Sequence, residues 1–219
     1  MKITLIDNYD SFAYNLVHYL RQITGDKIDV YRNDEVKINQ LEKYDAIVLS
    51  PGPGIPDEAG LLKEIIRVFA PKKRLLGVCL GQQAIGEVFG AKLLNTKQVF
   101  HGVATKIYRT DIESDIFEGI PHEFEAGRYH SWIVDKEGLP ECLEITAEDN
   151  EGRIMALKHK TYDVQGVQFH PESILTPLGY KMIENWVKED PAQTEIKFLR
   201  NKISELENRI VNLETAFIN

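Results

Sequence analysis

The sequence predicts an α/β protein: a doubly wound, mainly parallel sheet with an antiparallel extension, followed by a C-terminal coiled-coil helix. Three observations carry that expectation. Through the first half, short runs rich in β-branched residues alternate with longer amphipathic runs, the β-α-β rhythm of a parallel sheet. From about residue 91 to 165 the pattern changes to segments of alternating polarity, as in antiparallel strands added to a parallel core. Beyond Asp190-Pro191 a heptad repeat takes over.

Taken in order, "KITLID" (2–7), "IDVYR" (28–32), "AIVLS" (46–50) and "RLLGVCL" (74–80) read as buried strands. Between them "DSFAYNLVHYLRQIT" (10–24) and "DEAGLLKEIIRVFA" (57–70) carry the i, i+3, i+4 spacing of helices, one stopping at Gly25 and the other before Pro71. "GVATKIYR" (102–109), "EFEAGRYHSWIV" (123–134), "CLEITAED" (142–149) and "RIMALKHK" (153–160) are the alternating segments. "VQGVQF" (164–169) is a further strand, and "LGYKMIENWVKE" (178–189) a helix closing a domain of residues 1–189.

Residues 190–219 form a second unit. Ile196, Leu199, Ile203, Leu206, Ile210, Leu213 and Phe217 occupy alternating a and d positions. The g positions Glu195, Lys202 and Arg209 would meet Arg200, Glu207 and Glu214 of a parallel copy, so every pair is opposite in charge. Self-association through residues 196–217 as a parallel dimer is the favoured expectation, the alternative being an amphipathic helix folded back on the domain.

Composition narrows the function. A net charge of -8 opposes nucleic-acid and anionic-membrane binding, and no basic patch overrides it. The two cysteines, Cys79 and Cys142, give neither a disulfide framework nor paired metal-ligand spacing, which favours a reducing, cytoplasmic setting. "MKITLIDNYD" is far short of a signal peptide or membrane span. The histidines show no metal-ligand spacing, so neither metal nor other cofactor is expected.

Ligand sites in doubly wound sheets lie beyond the carboxyl ends of the strands. Three such ends are chemically unusual here. Gly77-Val78-Cys79-Leu80-Gly81 has the form of a nucleophile elbow with sulfur in place of hydroxyl, and it would set Cys79 at a helix N-terminus, which favours a thiolate. In "QFHPE" (168–172), read as extended, His170 and Glu172 project to one side as a base and the carboxylate orienting it. "SPGPG" (50–54) imposes a rigid turn whose amides can approach a ligand. Each has a plain alternative: a buried structural cysteine, a surface histidine, an ordinary loop.

Together, Cys79, His170 and Glu172 with the PGPG turn closely resemble the class I (triad) glutamine amidotransferases over residues 1 to about 189. "LIDNYDSFAYNL" and "RYHSW" (128–132) are similar to the small subunits of anthranilate synthase and aminodeoxychorismate synthase. The resemblance implies that Cys79 attacks the side-chain amide of L-glutamine, that His170 moves the protons, and that Glu172 holds the imidazole. It implies an oxyanion hole from the backbone amides of Gly52 and Leu80. Gln83 and the backbone of Ser131 and Trp132 would hold the substrate, with Pro53 and Gly54 shaping the near wall. It also implies a chorismate-binding large subunit that receives the ammonia, with anthranilate, for tryptophan, favoured over aminodeoxychorismate, for folate. Gln82 departs from the histidine common at that position, and Val103 from the lysine of many relatives. The alternative functions are another amidotransferase or Cys-His-Glu hydrolase of the same fold, or a non-enzymatic assembly module built around the zipper.

Overall fold

The structure is a computed structural model that describes residues 1–188. The heptad segment and Glu189 lie outside the described residues. In chain order the elements are β1 (Ile3–Asp7), α1 (Ala13–Thr24), β2 (Asp29–Arg32), β3 (Ala46–Leu49), α2 (Leu62–Phe69), β4 (Arg74–Val78), α3 (Leu80–Val88), β5 (Leu93–Asn95), β6 (Val103–Arg109), β7 (Glu123–Arg128), β8 (Trp132–Val134), β9 (Leu143–Asp149), β10 (Ile154–His159), β11 (Val164–Val167) and α4 (Gly179–Val187).

Nine strands form one sheet in the order β2-β1-β3-β4-β11-β10-β9-β6-β7. β2, β1, β3, β4 and β11 run parallel, while β10, β9, β6 and β7 continue the sheet antiparallel. The parallel sheet with an antiparallel extension is as expected. The segment 123–134 is not one strand, however. It breaks after Arg128, and β8 leaves to pair with β5 in a separate two-stranded sheet.

The parallel strands β1, β3, β4 and β11 are buried along their whole length, and their side chains divide between two cores. Ile3, Leu5, Ala46, Val48, Leu76 and Val78 pack with Leu16, Val17 and Leu20 of α1 and Met182, Ile183 and Trp186 of α4. Ile6, Ile47, Leu49 and Leu75 pack with Leu62, Ile65, Ile66 and Phe69 of α2 and Ala84 and Ile85 of α3. A sheet with apolar residues on both faces needs a layer of helices on each, and burying each such side chain contributes about 1.5–3 kcal/mol.

Several elements are shorter than the sequence pattern suggests. Asp10 Oδ1 accepts from the Phe12 amide at 2.7 Å, a local turn that delays α1 to Ala13. Pro56–Glu58 forms a separate 3₁₀ turn, so α2 starts at Leu62. β4 ends at Val78 because Cys79 turns sharply, and β11 ends at Val167, two residues short of Phe169. Among the described residues no helix is long and apolar enough to cross a membrane.

Candidate active site

Strand order reverses on either side of β1, with β2 to one side and β3, β4 and β11 to the other. The loops after β1, β3, β4 and β11 therefore leave the sheet side by side, at a switch point where ligands gather. They carry Asn8, Gly52, Cys79 and His170.

Cys79 occupies the turn between β4 and α3 at φ +51°, ψ −101°, a backbone conformation side chains rarely adopt. Two bonds pin it: its amide donates to Val167 O at 2.8 Å, and its carbonyl accepts from Gln83 N at 3.0 Å. The flanking glycines permit the turn. A Cβ at Gly77 would sit 2.5 Å from the Gly81 backbone, and one at Gly81 would sit 2.5 Å from Leu49 O. Strand and helix thus meet at backbone distance, with the sulfur set at the helix N-terminus.

His170 is anchored by backbone rather than by strand pairing. Its amide donates to Gly127 O at 2.9 Å, and its carbonyl accepts from Thr176 Oγ1 at 2.6 Å and from Ser173 N at 3.2 Å. The bond from Ser173 closes a turn over His170–Ser173, which corrects the extended reading of this segment: the two side chains meet across a turn, not along one face of a strand. Thr176 Oγ1 also accepts from Gly127 N at 3.0 Å, which locks the turn to β7. Nδ1 of His170 donates to Glu172 Oε1 at 2.7 Å, both side chains being buried. Nε2 is buried without a hydrogen bond of full geometry. Burial opposes charge on the imidazole, but the neighbouring Cys79 and then Glu172 outweigh it and hold its pKa well above the usual histidine value. The rings of Tyr129, 4.8 Å away, and Phe12, 5.9 Å away, pack against the imidazole.

The other expected residues fall around this pair. A Cβ at Gly52 would overlap Leu80 Cδ2 and Asn8 Cβ, each at 2.6 Å, so Gly52 and Leu80 adjoin. Leu80 is the first residue of α3, where a helix amide has no intrahelical acceptor. Pro53 and Gly54 are exposed on the same loop, Gly54 at φ +72°. Gln83 is buried, and its Nε2 donates to Trp132 O at 2.8 Å, tying α3 to the start of β8. Ser131 O accepts from Thr96 N at 2.9 Å. Among the described residues no cluster of His, Cys, Asp and Glu is arranged to hold a metal ion.

The profile of the glutamine amidotransferase class-I family matches residues 4–189. The chain belongs to the class-I glutamine amidotransferase family. It is 46% identical over 191 residues to the aminodeoxychorismate/anthranilate synthase component 2 of Bacillus subtilis, covering 85% of this chain and 95% of that protein. It is 43% identical over 219 residues to the bifunctional protein TrpGD of Thermotoga maritima, covering 94% of this chain but only 37% of that protein. A crystal structure assigned to a GMP synthase of Thermoplasma acidophilum superposes with a TM-score of 0.76 at 26% identity, over 94% of this chain and 98% of that one.

For a class-I amidotransferase the sequence left several site residues unremarked. Gln168, fully buried, donates from Nε2 to Cys79 Sγ at 3.4 Å and accepts at Oε1 from Gln83 Nε2 at 3.3 Å. It stands two residues before His170 in a quoted motif, so position alone could have drawn attention to it. Asn8 clasps the SPGPG loop, its amide donating to Ser50 Oγ and its Nδ2 to Ser50 O, both at 2.8 Å. Behind the Ser131–Trp132 loop, Arg128 pairs with buried Asp149 at 2.8 Å and donates from Nε to His130 Nε2 at 3.1 Å. Burial, then the Arg128 and His170 charges, push His130 down to about 3. Gln82, the departure from the family histidine, is fully buried with neither amide atom hydrogen-bonded.

Proposed function

We propose that the chain is the glutaminase subunit of a chorismate-using synthase, hydrolysing L-glutamine and supplying ammonia to a large, chorismate-binding partner. The observation that carries this reading is the strained, glycine-flanked Cys79 beside an imidazole whose charged form Cys79 and Glu172 stabilise. The names of the relatives support the synthase partner.

In this reading Cys79 Sγ, as a thiolate, attacks the side-chain carbonyl carbon of glutamine, and the developing oxyanion is met by the amides of Gly52 and Leu80. Such a donor typically contributes about 100- to 1,000-fold in rate. The His170 imidazolium gives its proton to the departing amide nitrogen, ammonia leaves, and a γ-glutamyl thioester remains. Neutral His170 then takes a proton from water as the water attacks the thioester, and returns it to the sulfur as glutamate departs. Glu172 fixes the Nδ1–H tautomer throughout and stabilises the imidazolium without taking the proton itself. Gln83, Ser131 and Trp132 hold the substrate, and Pro53 and Gly54 wall the pocket.

A diazo-ketone analogue of glutamine tests the site: labelling confined to the Cys79 peptide and absent from Cys79→Ser supports it, and a wild-type chain left unlabelled sinks it. Mixing with an anthranilate synthase large subunit, and separately with an aminodeoxychorismate synthase one, tests the partner. Stimulation of glutamine hydrolysis identifies it, with anthranilate synthase the favoured outcome, and a rate unmoved by either refutes the coupling. We assign the heptads at 196–217 to a parallel dimer on their charge pattern. Light scattering of the full chain and of a chain ending at Asp190 checks this, and equal monomeric masses refute it.

A further inference from the structure

We propose that Gln168 is a positioning residue of the nucleophile: its amide N–H orients the Cys79 sulfur and stabilises it as an anion, and its own direction is dictated by the substrate loop through Gln83. The inference rests on the assignment of Cys79 as the nucleophile.

Direction is the central step, because the two ends of an amide side chain have nearly the same shape and the hydrogen-bond network must decide between them. Here a fixed point exists. Trp132 O is a backbone carbonyl and only accepts, so the Gln83 group 2.8 Å from it must be the NH₂. That same NH₂ lies 3.3 Å from Gln168, which must therefore present its oxygen to Gln83. The remaining end of Gln168, 3.4 Å from Cys79 Sγ, is then the NH₂. Polarity set at Trp132 is carried through two buried amides to the sulfur.

A neutral thiol is a weak acceptor, whereas a thiolate is a strong one, so a donor aimed at the sulfur favours the charged state selectively. The amide carries no charge, so the bond has the same effect at every pH in the working range. The titratable groups around the sulfur are His170, with Glu172 behind it, and near His170 the uncharged His130. None of them is altered by a neutral substitution at 168. Phe169 explains how Gln168 is held. It turns the opposite way into the core, 5.6 Å from the Phe124 ring, and so fixes the backbone from which Gln168 and His170 both reach the site.

Gln168→Met keeps length and approximate volume and removes the donor. It strands no buried N–H, because Gln83 Nε2 keeps its bond to Trp132 O. Gln168→Glu keeps the acceptor for Gln83 but turns a carboxylate oxygen toward the sulfur. The measurement is the pH profile of alkylation by iodoacetamide on the full chain, with peptide mapping to separate Cys79 from Cys142, beside thermal unfolding. For Gln168→Met we expect alkylation of Cys79 slowed about tenfold near neutrality and the profile displaced about one pH unit alkaline, with unfolding within about 4 °C of wild type. Gln168→Glu should displace the profile further in the same direction. A Gln168→Met profile superimposable on wild type overturns the proposal. Should that variant not fold, an unmoved profile in Gln168→Glu overturns it equally. Wild-type chain alkylated at Cys142 and not at Cys79 would instead overturn the nucleophile assignment beneath it.

Discussion

Replacing Glu172 by glutamine isolates what the carboxylate's charge does for His170. The amide keeps the shape and an acceptor oxygen for Nδ1, now 2.7 Å from Oε1, so ring orientation and tautomer survive and only the charge is lost. Both side chains are almost wholly buried, so solvent does little to screen the change. A hydrogen bond to a charged group contributes about 1.5–3 kcal/mol and a neutral one about 0.5–1.5, leaving a difference of roughly 1–1.5 kcal/mol. At about 1.36 kcal/mol per unit, the imidazole pKa should fall by about one unit.

The sign follows from which form works. The proton given to ammonia comes from the imidazolium, so the alkaline limb of kcat for glutamine hydrolysis should move about one unit toward lower pH in Glu172→Gln. Stability moves with it. Because the folded pKa of His170 lies above its unfolded value, its contribution is fully present below about pH 6.5 and disappears as pH rises through the folded value. Glu172→Gln should therefore lose stability at acid and neutral pH and approach wild type at alkaline pH. Ammonia release by the complex with its synthase partner, and thermal unfolding of the chain across the same pH range, measure the two effects. An alkaline limb that does not move would refute the electrostatic role given to Glu172.

His130 should act in the opposite sense. Held neutral down to about 3, it leaves the unfolded chain alone to gain a proton below about pH 6.5, so His130→Gln, which keeps an acceptor for Arg128, should flatten the acid loss of stability between those values, and an unchanged acid limb would contradict this. Gln82→Met removes two buried polar atoms that lack partners, and should raise the unfolding temperature by about 2–4 °C for each kcal/mol regained, out of about 1–3 kcal/mol; a lower unfolding temperature would refute it. Gly179→Ala places a Cβ 1.8 Å from Pro171 O, between His170 and Glu172, so it should cost about 1–3 kcal/mol or more and lower kcat together with stability; an active variant of wild-type stability would show that the packing of α4 on this turn yields easily.

What the sequence disclosed about the site is what lies close together along the chain. Gly77 and Gly81 bracket Cys79 within one turn, so the elbow could be read from spacing. The pairing of His170 with Glu172 was also readable, though through an extended backbone that the protein does not use: the bond from Ser173 N to His170 O makes the turn, and that bond has no signature in a period-2 pattern. Partners supplied by distant loops stayed hidden. Thr176 joins His170 to Gly127, Asn8 clasps Ser50, and Gln168 reaches Cys79 across 89 positions, each a contact that exists only once β1, β3, β4, β7 and β11 are assembled. Fold class followed a similar rule. Strands buried on both faces announced the parallel sheet, whereas the departure of β8 depended on the break between Arg128 and Ser131, inside a segment that reads as one continuous strand.

The backbone of Cys79 offers a final test, because it separates the demands of the site from those of the fold. In most positions glycine is less stable than alanine by about 0.5–1 kcal/mol, since it loses more freedom on folding. At φ +51°, however, any side chain carries a strain of order ~1–3 kcal/mol, sustained here by the bonds to Val167 and Gln83 on either side. The usual order should therefore invert: Cys79→Gly should unfold at a higher temperature than Cys79→Ala, by about 2–4 °C for each kcal/mol of net relief. Neither variant can form the thioester, so activity cannot confuse the comparison. Should Cys79→Ala prove the more stable of the two, the turn carries no strain, and the presentation of the sulfur would have to be explained by the close packing of Gly77 on Gly81 alone.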